Sequence, residues 1–243
     1  MVDGLGCGWS AAQANGSGSN CSRAHGGNGG DQAQVSPGAR AADSRANLAA
    51  ITKVAARLAR AKKAVIINSN RRVDDTDAEA CLVPWAEFLT GVKAIPNLIW
   101  FREVFNASLE MPTAYALLEA GIPKFVHAWG DVAVNDTKSE LLETAMAAFL
   151  AVQGPYDYFA VSSKWTDDGG MSWHVQFAQV RCGLPTARLP TVSHNGTLYV
   201  REFEGCSVRY DSACAAPDGT GCGSITAKTD DGATVFAESN LHA

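Results

Sequence analysis

Two acidic residues stand where apolar segments of this sequence end. Asp3 closes a segment that begins at Val2, and Glu103 comes two residues after the apolar run 97–101. A pair of carboxyl groups across a cleft can cleave the acetal bond between two sugars. One group protonates the leaving oxygen, and the other attacks the anomeric carbon or activates water. The sequence therefore predicts Asp3 and Glu103 as candidate catalytic residues.

Residues able to hold a sugar stand near similar segment ends. The candidate substrate-binding residues are Asn68, Asn70, Trp129, Asp131 and Trp165. Amide and carboxylate groups form hydrogen bonds with sugar hydroxyls, and an indole ring offers a flat apolar face to a sugar ring. We expect these side chains to line the substrate cleft.

Most candidates also have a structural interpretation. Glu103 can pair with Arg102 or Lys124 at a strand end, and Asp131 can cap a short turn. Tryptophans are more often core residues than binding platforms. His127 lies inside an apolar stretch, which predicts a packed core imidazole.

Several other functions are excluded by composition and spacing. The formal net charge is -5, from 20 basic and 25 acidic residues without a basic stripe, so we predict no nucleic-acid partner. No apolar run reaches the roughly 18 residues of a membrane span. No Gly-x-Ser-x-Gly motif and no zinc-spaced His or Cys pair occurs in the sequence. We therefore predict neither a metal nor another cofactor.

Strands and helices alternate from about residue 44 onward. Short apolar runs predict strands at 64–68, 97–101, 124–129 and 156–161. Helical spacing and capping-box patterns predict helices over about 44–61, 76–88, 111–120 and 141–152. We expect Pro84 to kink the second helix and Gly121 to close the third.

This alternation predicts an α/β fold with parallel strands joined by right-handed crossovers. A doubly wound open sheet and a (β/α) barrel are the alternatives. No Gly-x-Gly-x-x-Gly or phosphate loop follows a strand, which disfavours the open nucleotide-binding sheet. The polar candidates follow strand ends, as they do on the catalytic face of barrels. We therefore predict a partial (β/α)8 barrel of the TIM type.

The predicted domain organisation has three parts. Residues 1–44 hold a strand remnant and a flexible loop, since a Gly-, Ser- and Asn-rich stretch cannot offset its ordering entropy by burial. Residues 45–180 form the partial barrel. Residues 181–243 form a C-terminal antiparallel β tail packed on the barrel, with a hairpin turn at 204–206.

Cysteines and sequons indicate an extracellular or secretory location. We predict that Cys206 forms a disulfide with Cys182, Cys214 or Cys222, because the tail has few aliphatic residues of its own. Asn-x-Ser/Thr sequons occur at Asn15, Asn20, Asn106, Asn135 and Asn195. The alternative is a cytosolic protein with Asn-rich loops. The first residues show no signal-peptide pattern.

Several segments together resemble one family. They are Val2-Asp3-Gly4, residues 64–68, Glu103-Val104-Phe105, residues 148–159 and residues 199–204. In this order they resemble the barrel-type family of hypothetical glycoside hydrolases, over most of the chain and best from residue 64 onward. The resemblance implies strands four to eight of the barrel, with Asp3 on the fourth strand and Glu103 on the sixth.

The predicted function is hydrolysis of O-glycosidic bonds by a carboxylate pair, with a saccharide as substrate. The alternative is a non-catalytic carbohydrate-binding or structural protein on the same scaffold. Because strands one to three are missing, we expect these 243 residues to be an inactive fragment. Unpaired sheet edges predict that the fragment associates with itself.

Overall fold

The structure, a computed structural model, describes residues 2–3, 37–68, 72–73, 83–102, 107–129, 139–162, 177, 180–214 and 221–228. The chain divides into two compact units, Met1–Arg102 and Glu103–Ala243. This division lies between the domain boundaries that the sequence predicts at 44 and 180.

The first unit is a parallel sheet with helices between its strands. Its elements are β1 (Val2–Asp3), α1 (Pro37–Arg60), β2 (Val65–Asn68), α2 (Trp85–Lys93) and β3 (Leu98–Arg102). β2 pairs in parallel with both β1 and β3. The predicted strands of this unit are confirmed to within one residue.

Helix α1 is longer than the sequence predicts. Leu48, Ile51 and Ala55 are buried at the spacing of one helix face, which confirms the apolar period. The helix begins at Pro37 rather than near residue 44. Proline suits the first helical turn because its missing N–H needs no partner there. The start of this helix therefore lies inside the stretch predicted as loop.

Helix α2 corrects the prediction around Pro84. The helix begins at Trp85, directly after Pro84, and continues to Lys93 instead of ending at Phe88. Proline lacks the backbone N–H that a helix interior requires, so it precedes the helix and does not kink it. Phe88 and Val92 are buried one turn apart, which extends the apolar face beyond the predicted end. The predicted capping box at 76–79 lies outside the described residues.

The second unit begins with the same alternation of strands and helices. Its first elements are α3 (Ala107–Ala120), β4 (Lys124–Trp129), α4 (Ser139–Ala151) and β5 (Tyr158–Ser162). β4 and β5 pair in parallel, as predicted. Helix α3 starts earlier than predicted and holds Pro112 inside it. Gly121 closes α3 with φ at +72°, which confirms the predicted left-handed cap.

An antiparallel sheet completes the second unit. Its strands, in order across the sheet, are β6 (Thr191–Ser193), β7 (Leu198–Glu202), β8 (Cys206–Asp211) and β9 (Cys222–Ala227). β7 and β8 form the predicted hairpin. β6 is absent from the predicted elements, because three residues without a buried side chain give no apolar signal.

Helix α4 packs on the antiparallel sheet and joins both layers of the second unit into one core. Large members of this core are Met111, Leu118, Val126, Leu142, Met146, Phe149, Val161, Tyr199, Val208, Tyr210 and Ile225. Fully burying a side chain of this size contributes about 1.5–3 kcal/mol. His127 on β4 is 3 % exposed, which confirms the prediction of a packed imidazole.

Gly223 lies where β9 packs against α4. A Cβ atom at this position would stand 2.7 Å from Ala147 Cβ and 2.9 Å from Thr144 Cα. We expect Gly223→Ala to lower the free energy of unfolding by about 1–3 kcal/mol, because neither neighbour can rotate away. Urea denaturation measures this change. Ser224→Ala at the next position is the control. An equal loss of unfolding free energy in both variants would contradict the close packing at Gly223.

Two disulfides stabilise the antiparallel part. Cys182 is bonded to Cys206 with Cα atoms 4.8 Å apart, and Cys214 to Cys222 with Cα atoms 5.5 Å apart. The predicted disulfide at Cys206 is therefore confirmed, and Cys182 is its partner. Both of these cysteines are buried in the core.

Loss of the Cys182–Cys206 disulfide should lower the free energy of unfolding substantially. Its cysteines are 24 residues apart in sequence, and closing a loop of that size contributes about 3 kcal/mol. The double variant Cys182→Ala/Cys206→Ala should lose this amount of unfolding free energy in urea. Cys214→Ala/Cys222→Ala opens a separation of 8 residues and should lose less. Cys206 recovered as a free alkylated thiol after non-reducing digestion would contradict the pairing.

The described residues form a mixed α/β chain, with parallel strands followed by an antiparallel sheet. Neither sheet closes into a barrel within the described ranges. The barrel therefore stays a prediction. Among the helices that the structure describes, none is long and apolar enough to cross a membrane.

Candidate functional site

The carboxyl ends of β1, β2 and β3 form one edge of the first unit. The strand register pairs Asp3 with Asn68, and Asn68 with Phe101. Arg102 ends β3, and Glu103 is the next residue in the sequence. In open and closed α/β sheets, ligands bind at the carboxyl ends of parallel strands. The predicted residues Asp3 and Asn68 thus belong to neighbouring strand ends.

Asn68 lies on the sheet face opposite to helix α2. Side chains alternate between the two faces of a strand, so Asn68 and Phe101 share one face and Trp100 lies on the other. The Trp100 ring centroid is 6.5 Å from that of Trp85 and 5.7 Å from that of Phe88, both on α2. Trp100 is 1 % exposed and belongs to the core. It is therefore no platform for a sugar ring.

The amide of Asn68 is an informative feature because asparagine is rarely buried. Asn68 is 9 % exposed. Asn68 is therefore a buried polar group at the edge where the sequence predicts a site.

Of the five other predicted site residues, the structure describes only one. Trp129 is the last residue of β4 in the second unit. The other four predicted residues, Glu103, Asn70, Asp131 and Trp165, lie outside the described residues. The structure therefore brings together Asp3 and Asn68 from the predicted set.

A buried ion pair lies at the amino ends of β4 and β5. The side chains of Lys124 and Asp157 are each 1 % exposed. Asp157 Oδ1 accepts the backbone N–H of Lys124 at 2.8 Å, and Oδ2 accepts that of Gly154 at 2.6 Å. Lys124 Nζ donates to the Val152 carbonyl at 2.6 Å and also to Asp157 Oδ2. Burial lowers the pKa of Lys124, and the Asp157 carboxylate opposes this shift.

Arg201 connects β7 to the C-terminal end of α4. Its Nη1 donates to the carbonyls of Gln153 at 2.5 Å and Leu150 at 3.3 Å. Its Nη2 donates to the Arg188 carbonyl at 2.9 Å. Burial lowers the pKa of Arg201. A cation at this end of a helix satisfies free carbonyls and interacts favourably with the helix dipole, so Arg201 anchors the sheet on α4.

These contacts at the amino ends are structural. General acid–base catalysis requires a group within reach of substrate, whereas Asp157 is enclosed by its own donors. In α/β barrels the amino ends of the strands serve stability and the carboxyl ends serve catalysis. Sequence reasoning missed this pair. The sequence feature that indicates this ion pair is a lysine at the start of one predicted strand and an aspartate inside the next.

No protein-family model matches this chain, and no curated protein matches it. In the part of the chain that the structure describes, no group of three or more His, Cys, Asp or Glu side chains could hold a metal ion.

Proposed function

We propose that this protein is a glycoside hydrolase in which Asp3 and Glu103 are the catalytic carboxyl groups. The proposal rests on the edge formed by β1, β2 and β3. Asp3, Asn68 and Arg102 stand at three successive strand ends there, and Glu103 follows Arg102 in the sequence. Acidic residues at the carboxyl ends of parallel strands are typical of catalytic sites in barrels.

The spacing of the strands suits this pair. Adjacent strands lie about 4.8 Å apart, so the ends of β1 and β3 are about 10 Å apart across β2. Glycosidases hold their two carboxyl groups about 5–9.5 Å apart, and the shorter separation retains the anomeric configuration. The separation of the two strand ends is close to the upper limit of this range.

In the proposed reaction one carboxyl group protonates the glycosidic oxygen. The other attacks the anomeric carbon or accepts a proton from the attacking water. Asn68, on the strand between them, forms a hydrogen bond with a sugar hydroxyl and orients the ring toward both acids. Trp129 and Trp165 offer apolar faces to neighbouring sugars, and Asn70 and Asp131 bind further hydroxyls.

The exposure of the two sheet faces supports a (β/α)8 barrel as the scaffold. Ile66 and Ile99 lie opposite to the α2-covered face of the first unit and are only half-buried. In the second unit, Tyr158 is 57 % exposed and lies beside Phe125 on one face of β4 and β5. In a barrel, one face of each strand turns inward and packs in the barrel interior.

The two disulfides support an extracellular or secretory location. Cytosolic thiols are kept reduced, whereas structural disulfides persist in oxidising compartments. Both pairs lie in the second unit, at Cys182–Cys206 and Cys214–Cys222. A secreted hydrolase that acts on an external saccharide fits this chemistry.

Sugar release and sugar binding, measured side by side, test the proposal. The full-length natural protein is incubated with aryl glycosides and oligosaccharides, and new reducing ends are quantified. We expect hydrolysis that falls by a factor of about 100 or more in Asp3→Asn, which removes one carboxyl group at constant size. Binding without release of reducing ends would identify the non-catalytic carbohydrate-binding alternative. Absence of both binding and release would overturn the proposal.

A further inference from the structure

The connection between β6 and β7 carries a sequon at the protein surface. A 3-10 turn, His194–Gly196, joins the two strands. Asn195 at its centre is exposed, with φ at +56° and ψ at +30°. Asparagine tolerates this left-handed conformation better than most residues. Thr197 completes the sequence Asn-Gly-Thr, which is an acceptor signal for N-glycosylation.

We propose that Asn195 is a modification site that carries an N-linked oligosaccharide. Asn195 Nδ2 forms a bond to the anomeric carbon of an oligosaccharide attached to a lipid diphosphate. The bond between that carbon and the diphosphate oxygen breaks, and the lipid diphosphate leaves. The amide proton passes to a base of the transferase. This inference is independent of the glycoside hydrolase proposal, since it requires no activity of the chain itself.

The surface around the turn has room for a glycan. A Cβ atom added at Gly196, beside Asn195, would meet no heavy atom within 4 Å. Thr197 Oγ1 donates to the His194 carbonyl at 3.0 Å, a local and exposed hydrogen bond. It can open without disturbing the sheet, so the threonine hydroxyl is available to a transferase.

The two disulfides and the sequon at Asn195 indicate the same compartment. The Cys182–Cys206 disulfide ends on the first residue of β8, and the Cys214–Cys222 disulfide connects the segment after β8 to the first residue of β9. Such disulfides form in the secretory pathway, which is also where secreted proteins receive N-linked glycans. A chain that acquires these disulfides therefore exposes Asn195 to glycosylation.

The glycan also protects an open edge of the antiparallel sheet. β6 and β9 are the two edge strands. β9 packs on α4, where Glu143 Oε1 accepts the N–H of Ile225 at 3.1 Å. On β6, Thr191 and Val192 are exposed, with Val192 at 37 %. A bulky hydrophilic group at the end of β6 hinders the addition of a strand from another chain.

Peptide mass spectrometry tests the site on the full chain secreted from a eukaryotic host. Trypsin releases residues 189–201, in which Asn195 is the only asparagine. Peptide N-glycosidase in heavy-oxygen water converts a glycosylated asparagine to aspartate that contains a heavy oxygen atom. A parallel digest without the glycosidase measures spontaneous deamidation at the Asn195-Gly196 bond.

A matched control lies in the first unit. Asn97 is also exposed and has φ at +53°, but Ile99 occupies the sequon position. Trypsin releases it in the peptide 94–102, which contains no other asparagine. Any heavy oxygen at Asn97 therefore measures the background of the method.

We expect heavy oxygen at position 195 in the wild type and in Thr197→Ser, and its loss in Thr197→Ala. The serine variant keeps the hydroxyl, so it separates loss of the sequon from disturbance of the turn. Asn97 should show background only. Recovery of peptide 189–201 from the wild type with unmodified Asn195, before glycosidase treatment, overturns the proposal whether or not other sequons are occupied.

Discussion

Glu103→Gln is expected to reduce hydrolysis of aryl glycosides by a factor of about 10²–10⁴. Glutamine fills nearly the same volume as glutamate, but its amide can neither release an acidic proton nor act as a carboxylate nucleophile. The loss should lower kcat and kcat/KM together, because the interaction is made in the transition state. Initial rates over a range of substrate concentrations, measured on the full-length natural protein, provide both values.

The control for this prediction is Glu119→Gln, on the exposed side of α3. It makes the same chemical change at an exposed helix residue outside the proposed catalytic pair and should leave kcat unchanged. Circular dichroism and urea unfolding of both variants should match the wild type. If Glu103→Gln keeps a rate within a few-fold of the wild type, Glu103 has no catalytic role.

Asp157→Asn is expected to destabilise the second unit by about 3–5 kcal/mol. The carboxylate accepts the backbone N–H groups of Lys124 and Gly154 as well as the Lys124 ammonium. An asparagine amide brings a second set of N–H donors against these groups and removes the compensating charge. The Lys124 ammonium is then left buried without its counter-ion, which is the costly part of the change.

A double-mutant cycle isolates this interaction. Lys124→Met and Asp157→Asn are measured singly and together by urea unfolding. The double variant should be less destabilised than the sum of the single variants, because removing both charges leaves no isolated ion. Arg45→Met with Glu87→Gln provides the surface comparison, since that pair is about half-exposed and should show little coupling. Additive losses at Lys124 and Asp157 would contradict a coupled buried pair.

Local patterns in the sequence were sufficient to predict most strands. The runs at 64–68, 97–101 and 124–129 are apolar and rich in β-branched or aromatic residues, and each became a strand within one residue. Gly121 was identifiable because a left-handed helix cap favours glycine. Such signals depend on residues close together in the chain.

Helix boundaries and the site were harder to predict. The capping-box pattern at 76–79 predicts a helix that contains Pro84, yet Pro84 precedes α2. For the site, strand ends identified Asp3 and Asn68 as neighbours, since parallel strands end at a common edge. The face on which Asn68 lies depends on where α2 packs, and no local pattern reports that.

The sequence by itself determined the order of strands and helices, the hairpin of β7 and β8, and the involvement of Cys206 in a disulfide. These follow from periodicity, turn residues and composition within short segments. Only the tertiary structure decided that Cys206 pairs with Cys182, 24 residues away, and that Lys124 is buried with Asp157, 33 residues away. The physical reason is that packing of separate elements selects these partners, and packing free energy is a property of the assembled core rather than of any segment.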